Sequence, residues 1–177
     1  MVAIRPLLVA VALAFPITSL AASPYAGQTS RTIKALSDEE VADYLSGKGM
    51  GLAKAAELNG YPGPLHVLEL SEQLGLSAAQ KERTEAIFAR MLDRAKATGK
   101  LLVEEEGKLD ELFAARTISP SLLHQTLDAI ASLQRQVREI HLQAHLEEAD
   151  VLSEAQAMQY WHLRGYAGGS MEHSHRH

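Results

Sequence analysis

From Ser77 onward, apolar residues recur at the three-to-four-residue spacing of helices, and no stretch shows the strict alternation of a half-buried strand. Phe88, Met91, Leu92, Ala95, Leu102, Leu109, Leu112 and Phe113 form one broad stripe, which predicts a helix from Ser77 to about Arg116. Lys96 to Lys100 is a weak middle in that stripe. Gly99 and Gly107 each cost about 1 kcal/mol relative to alanine there, so a bend is expected. Leu123, Leu127, Ile130, Val137 and Ala144, flanked by Leu133 and Ile140, come close to a heptad and predict a second long helix with a coiled-coil-like seam. The short connection around Thr117-Ile118 should fold the two back antiparallel. Upstream, shorter pieces are expected from Ser37 to Leu45, Leu52 to Leu58 and Leu65 to Leu74, and a last helix from Ser153 to Gly165.

The boundaries of these elements are written in capping chemistry. Leu76-Ser77-Ala78-Ala79-Gln80 recurs as Leu152-Ser153-Glu154-Ala155-Gln156, and Leu36-Ser37-Asp38-Glu39-Glu40 is a looser third copy. In each, the serine hydroxyl can accept from the backbone N–H three residues on, while the glutamine or glutamate reaches back to the serine N–H. Ser119-Pro120 is an N-cap followed by proline at the first helical position. Asn59-Gly60 is a stop, and Tyr61-Pro62-Gly63-Pro64 a rigid turn. The three glycines of Ser46-Gly47-Lys48-Gly49-Met50-Gly51 read as a hinge or close-packing point. They are not a phosphate loop, because no strand precedes them and the G-x-x-x-x-G-K-[ST] spacing is missing.

The first residues change the picture of where this chain works. Met1 to Arg5 is a short positive region, Leu7 to Phe15 is apolar throughout, and Ser19 and Ala21 stand where cleavage near Ala21-Ala22 would need small residues. Residues 1–21 therefore read as a signal peptide, too short and too interrupted by Pro16 for a spanning helix of ~20 residues. Residues 22–36 read as a flexible mature N-terminus, 37–165 as the helical domain and 166–177 as a disordered, histidine-containing tail. The net charge of −5 becomes one unit more acidic when Arg5 leaves, which argues against nucleic acid as a partner. With no cysteine, an exported chain has neither disulfides nor thiolate chemistry.

A doubled L-S-x-x-Q box behind an export signal, in a small cysteine-free helical chain, resembles the L-T-x-x-Q signature of the Spy/CpxP family of periplasmic proteins, which also includes ZraP- and CnrX-like heavy-metal sensors. The resemblance covers roughly Ser37 to Arg164, with serine in place of threonine in both copies; serine caps at least as well. It implies an all-α fold, with a long antiparallel helical hairpin and shorter N- and C-terminal helices; such a thin hairpin leaves one apolar flank uncovered, which predicts a dimer. The resemblance also implies a periplasmic stress protein, acting as an ATP-independent chaperone for unfolded or misfolded envelope proteins or as a modulator of a membrane stress sensor. The stretch from Gly49 to Pro64 is similar to proteins labelled periplasmic heavy-metal sensors, which sets the alternative.

Candidate chemistry is confined to histidine. The serines sit at helix starts, where capping explains them, so no nucleophile–base pair stands out and the chain does not read as an enzyme. Glu104-Glu105-Glu106 reads as a solvated helix face. His141, His145 and Glu148 share one face of the second long helix and could hold a divalent metal (zinc, nickel or copper), although no cofactor is required by anything in the sequence. The other reading has His141 and His145 flanking the seam, one packed against the partner helix and the other hydrated. Arg90, Met91 and Arg94 should lie opposite, the arginines able to pair with Glu147 and Glu148, with Met91 or His66 as a further ligand. His173, His175 and His177 could collect metal loosely in the tail. His66, His124 and His162 otherwise read as isolated surface or packing residues.

Overall fold

The computed structural model describes residues 23–168. The proposed signal peptide and the tail histidines His173, His175 and His177 lie outside the described residues. Six α-helices follow in order: α1 Asp38–Ser46, α2 Lys54–Glu57, α3 Pro64–Glu69, α4 Ala78–Ala114, α5 Pro120–Ala149 and α6 Glu154–Leu163. Among the described residues there is no strand, and no helix is long and apolar enough to cross a membrane.

All three capping boxes form. Ser37, Ser77 and Ser153 each accept from the backbone N–H three residues on, and Glu40, Gln80 and Gln156 each accept from the backbone N–H of their own serine. Ser119 caps α5 in the same way, with Pro120 at the first helical position. At the other end of α1, Gly47 takes φ +71° and stops the helix as the sequence suggests. Lys48 N–H then reaches back to Asp43 C=O at 3.0 Å and Gly47 N–H to Tyr44 C=O at 3.1 Å, the double closure of a Schellman motif.

The two long helices pack along one another, and α1 lies across α4. Thr126, Ile130, Val137, Ile140, His141, Ala144 and Glu148 form the buried edge of α5. Thr84, Ile87, Ala95, Gly99, Leu102 and Glu106 form that of α4. One apolar cluster joins Ile87, Ala144 and Val151, with Met91 against it. A second joins Val67, Leu74 and Tyr160, flanked by Leu70, Leu76 and Leu152, and ties α3 and α6 to the start of α4.

The two glutamine boxes meet here. Gln80 Nε2 donates to Gln156 Oε1 at 2.8 Å, and Gln156 Nε2 donates to Gln80 Oε1 at 3.2 Å. The remaining amide hydrogens go to Val151 C=O at 2.9 Å and Leu74 C=O at 3.2 Å, the carbonyls just ahead of the two serines. Each glutamine thus closes its own cap and clasps the other.

Several expectations change in physical detail. α2 and α3 are shorter than their apolar spans, and Gly51, Gly60 and Gly75, all at positive φ, mark the ends of the spans rather than of the helices. Glu106 is buried rather than solvated, and desolvation raises its pKa. Phe113 and Leu127, placed on the stripes by spacing, are 54% and 46% exposed, outside the strip of the helix pair that α1 and the segment before it cover. The segment before α1 is held: Lys34 N–H and Nζ both donate to Asp110 at 3.1 and 3.2 Å, and Ile33 is buried near Gly107.

The helical hydrogen bonding of α4 runs without interruption through Gly99 and Gly107. Gly99 is a contact point: a Cβ there would stand 2.3 Å from the Tyr44 carbonyl oxygen. Gly99→Ala should gain about 1 kcal/mol of helix propensity and still lower stability by about 1–3 kcal/mol net, because backbone must move aside. Urea denaturation checks this, and equal or higher stability in the variant would contradict it.

Candidate functional site

A cavity of about 340 Å³ lies where the turns after α1 and before α3 cross the middle of the helix pair. Phe88, Met91 and Leu92 from α4 and Pro64 and Leu65 from α3 supply apolar wall, and His141 and His145 of α5 supply imidazole. Local structure keeps the space open. Gly49 has no side chain beside His141, where a Cβ would stand 3.9 Å from Nδ1. At Gly63 a Cβ would stand 2.9 Å from His145 Cε1, so only glycine lets that ring sit where it does.

The three metal-ligand candidates on α5 face separate partners. His145 Nδ1 lies 2.8 Å from Tyr61 C=O. A carbonyl only accepts, so Nδ1 carries the proton, and in the neutral ring Nε2 is left as an acceptor. His141 is buried in the seam with Nε2 lacking any partner among the described residues. Burial lowers its pKa first, and the neighbouring His145 lowers it further. Glu148, completely buried, accepts from Thr84 Oγ1 at 2.8 Å through Oε1, while Oε2 is buried without a partner. Among the described residues no three His, Asp or Glu side chains come together as a metal-holding group. Thr84 turns the Glu148 carboxyl across the helix pair, and the Tyr61 carbonyl holds the His145 ring toward the α2–α3 turn. Of the expected opposite residues, Arg90 pairs with Glu147, and Met91 and His66 line the cavity. His66 also pairs with Glu69 at 2.8 Å, and the exposed His124 lies 3.6 Å from Asp128.

The sequence reading missed one polar centre. Glu57 Oε1 on α2 accepts from Tyr160 Oη at 2.7 Å, Tyr166 Oη at 2.9 Å and Arg164 Nε at 3.3 Å. Tyr160 Oη in turn accepts from Gly63 N–H at 3.3 Å. Burial and the Glu57 carboxylate both push the Tyr160 hydroxyl up, so it stays a donor. Tyr166, assigned by sequence to the tail, is therefore anchored. These three partners of Glu57 lie more than a hundred residues downstream, and His145 Nδ1 stands 3.7 Å from its other oxygen, all beyond the reach of any periodicity. The clustered Tyr160, Arg164 and Tyr166, spaced along one helical end, are the signal that was there to find. Comparison with known proteins gives no match: no family model, no curated protein and no solved structure matches this chain.

Glu148 makes stability depend on pH. Burial pushes its pKa from 4.5 up to about 7, against the opposing pull of the Thr84 hydrogen bond and of Arg83. The folded state therefore holds a proton that the unfolded chain releases. The contribution of that proton is complete below pH 4.5 and is lost as pH rises through about 7. The size is about 3 kcal/mol for such a shift. Glu148→Gln keeps the acceptor for Thr84 and removes the charge. It should match the parent near pH 5 and exceed it by about 2–3 kcal/mol at pH 8, read by denaturation followed at Trp161. Parallel stability curves for parent and variant across that range would contradict the assignment.

Proposed function

We propose that this chain is an exported periplasmic stress protein of the Spy/CpxP kind, which holds unfolded or misfolded envelope proteins without ATP or modulates a membrane stress sensor. The observation that carries the reading is a set of apolar side chains exposed on the loop-side half of the helix pair, beside the strip that α1 and the segment before it cover. Leu101, Phe113, Leu122 and Leu127 are exposed there. Charged pairs such as Lys108–Glu105 and Lys100–Glu104 lie among them. Scattered apolar side chains on a charged, two-helix surface suit weak binding of many extended partners. The same exposed set supports a homodimer, since a thin helical layer commonly completes its core by self-association.

A chemically denatured test protein, diluted in the presence of an equimolar amount of the chain spanning residues 22–177, should scatter at least twofold less light than alone. The double change Phe113→Ser, Leu127→Ser should lose most of that protection while melting at a similar temperature. No protection, with or without zinc, would refute the holding function.

A metal-responsive role is the second reading, favoured by one observation: His66, Met91, His141 and His145 line a single cavity, and the His145 ring is fixed by its second nitrogen as metal-bound imidazoles usually are. Zinc, nickel and copper titrations should then show a site lost in His141→Ala, His145→Ala and kept when the tail from Met171 is deleted. Loss on tail deletion alone would move the site to His173, His175 and His177.

A further inference from the structure

We propose that the cavity between the α1–α3 turns and the helix pair binds a small, neutral aromatic alcohol. Its volume of about 340 Å³ lies at the lower end of the roughly 300–1,000 Å³ typical of small-molecule sites. Phe88, Met91 and Leu92 offer a ring, a thioether and a branched alkyl surface, which suit an aromatic guest. No carboxylate lines the site, and the Glu57 carboxylate behind it, 3.7 Å from His145 Nδ1, is already taken up by Tyr160, Tyr166 and Arg164, so a cationic guest would find no free counter-charge. The single ammonium at its edge, Lys48, is already held by Asp43 at 2.5 Å, which leaves little attraction for an anion.

What remains polar is imidazole. Tyr61 C=O takes the His145 Nδ1 proton, so Nε2 offers a lone pair to a hydroxyl donor. His141, kept neutral by its burial, stands on the same wall beside Gly49. An apolar pocket with an oriented acceptor and no free charge selects an apolar ring bearing one O–H. The two glycines are part of the device, because a side chain at either would fill the space or displace His145. This assignment is independent of the holding function, which uses exposed apolar residues nearer the α4–α5 turn.

The test uses the full chain without its leader, treated with EDTA, and 2-naphthol as the probe, followed by calorimetry and by the methionine methyl signals. Expected is one saturable site that shifts the methyl of Met91 and leaves that of the exposed Met158 unchanged. Gly49→Leu, which meets nothing closer than 3.9 Å at its Cβ, should weaken binding at least tenfold by filling the cavity. His145→Ala should weaken 2-naphthol at least tenfold, and 2-naphthoate should bind at least tenfold more weakly than 2-naphthol to the parent. Equal binding of naphthoate, no Met91 shift, or binding that appears only when metal is added would overturn the proposal. Should Gly49→Leu unfold the protein, the Met91 shift and the His145→Ala comparison decide alone.

Discussion

The reciprocal amide pair between Gln80 and Gln156 is the constraint on which the arrangement of the shorter helices depends. Each side chain's oxygen accepts from its own serine N–H and from the partner amide, that of Gln156 also from the Ser153 hydroxyl, and its two hydrogens go to the partner and to a backbone carbonyl. A capping box alone starts a helix. Two boxes that share their amides also fix where the two helices start relative to one another, across 76 positions of sequence. The apolar cluster of Val67, Leu74 and Tyr160, with Leu76 and Leu152 at its edge, sits directly by this clasp. Loosening the pair would leave amide groups part-buried and unpaired, which costs more than the net worth of either bond.

From that corner the consequences run outward. With α6 in place, Tyr160 reaches Glu57 and the Gly63 N–H, so the α2–α3 turn is hung from the C-terminal helix by polar bonds rather than by a large apolar face. That turn brings Gly63 against His145 and completes one wall of the cavity. The helix pair makes a different compromise. Its seam buries Glu148, Thr84 and His141 alongside Ile87 and Ala144, and leaves polar atoms of Glu148 and His141 without partners among the described residues. A purely apolar seam would be more stable; the retained groups are where proton binding enters the fold.

What was legible in the sequence was local. Capping boxes, the proline start of α5, the glycine stop of α1 and the two long amphipathic helices all follow from residues within a turn or two of each other. What escaped was long-range. The duplicated box announced two similar helix starts but not that their glutamines meet, because no periodicity encodes which copies touch. Gly99 read as a weak point within its helix, and only the crossing of α1 turns it into a fit. Glu106, in a run of three glutamates, looked solvated for the same reason. Along the histidine face, spacing placed His141, His145 and Glu148 correctly on α5. It could not foresee that Thr84 and the Tyr61 carbonyl would draw two of them to different partners.

A double-mutant cycle on the clasp tests the central claim most directly. Gln80→Ala and Gln156→Ala, singly and together, should show a coupling energy of about 1 kcal/mol or more in urea denaturation, with the double variant costing clearly less than the sum of the singles. The corresponding cycle between Gln80 and Glu40, whose box stands apart and exposed, should show none. Simple additivity of the two glutamine changes would mean that each box caps its own helix and nothing more, and would contradict the account.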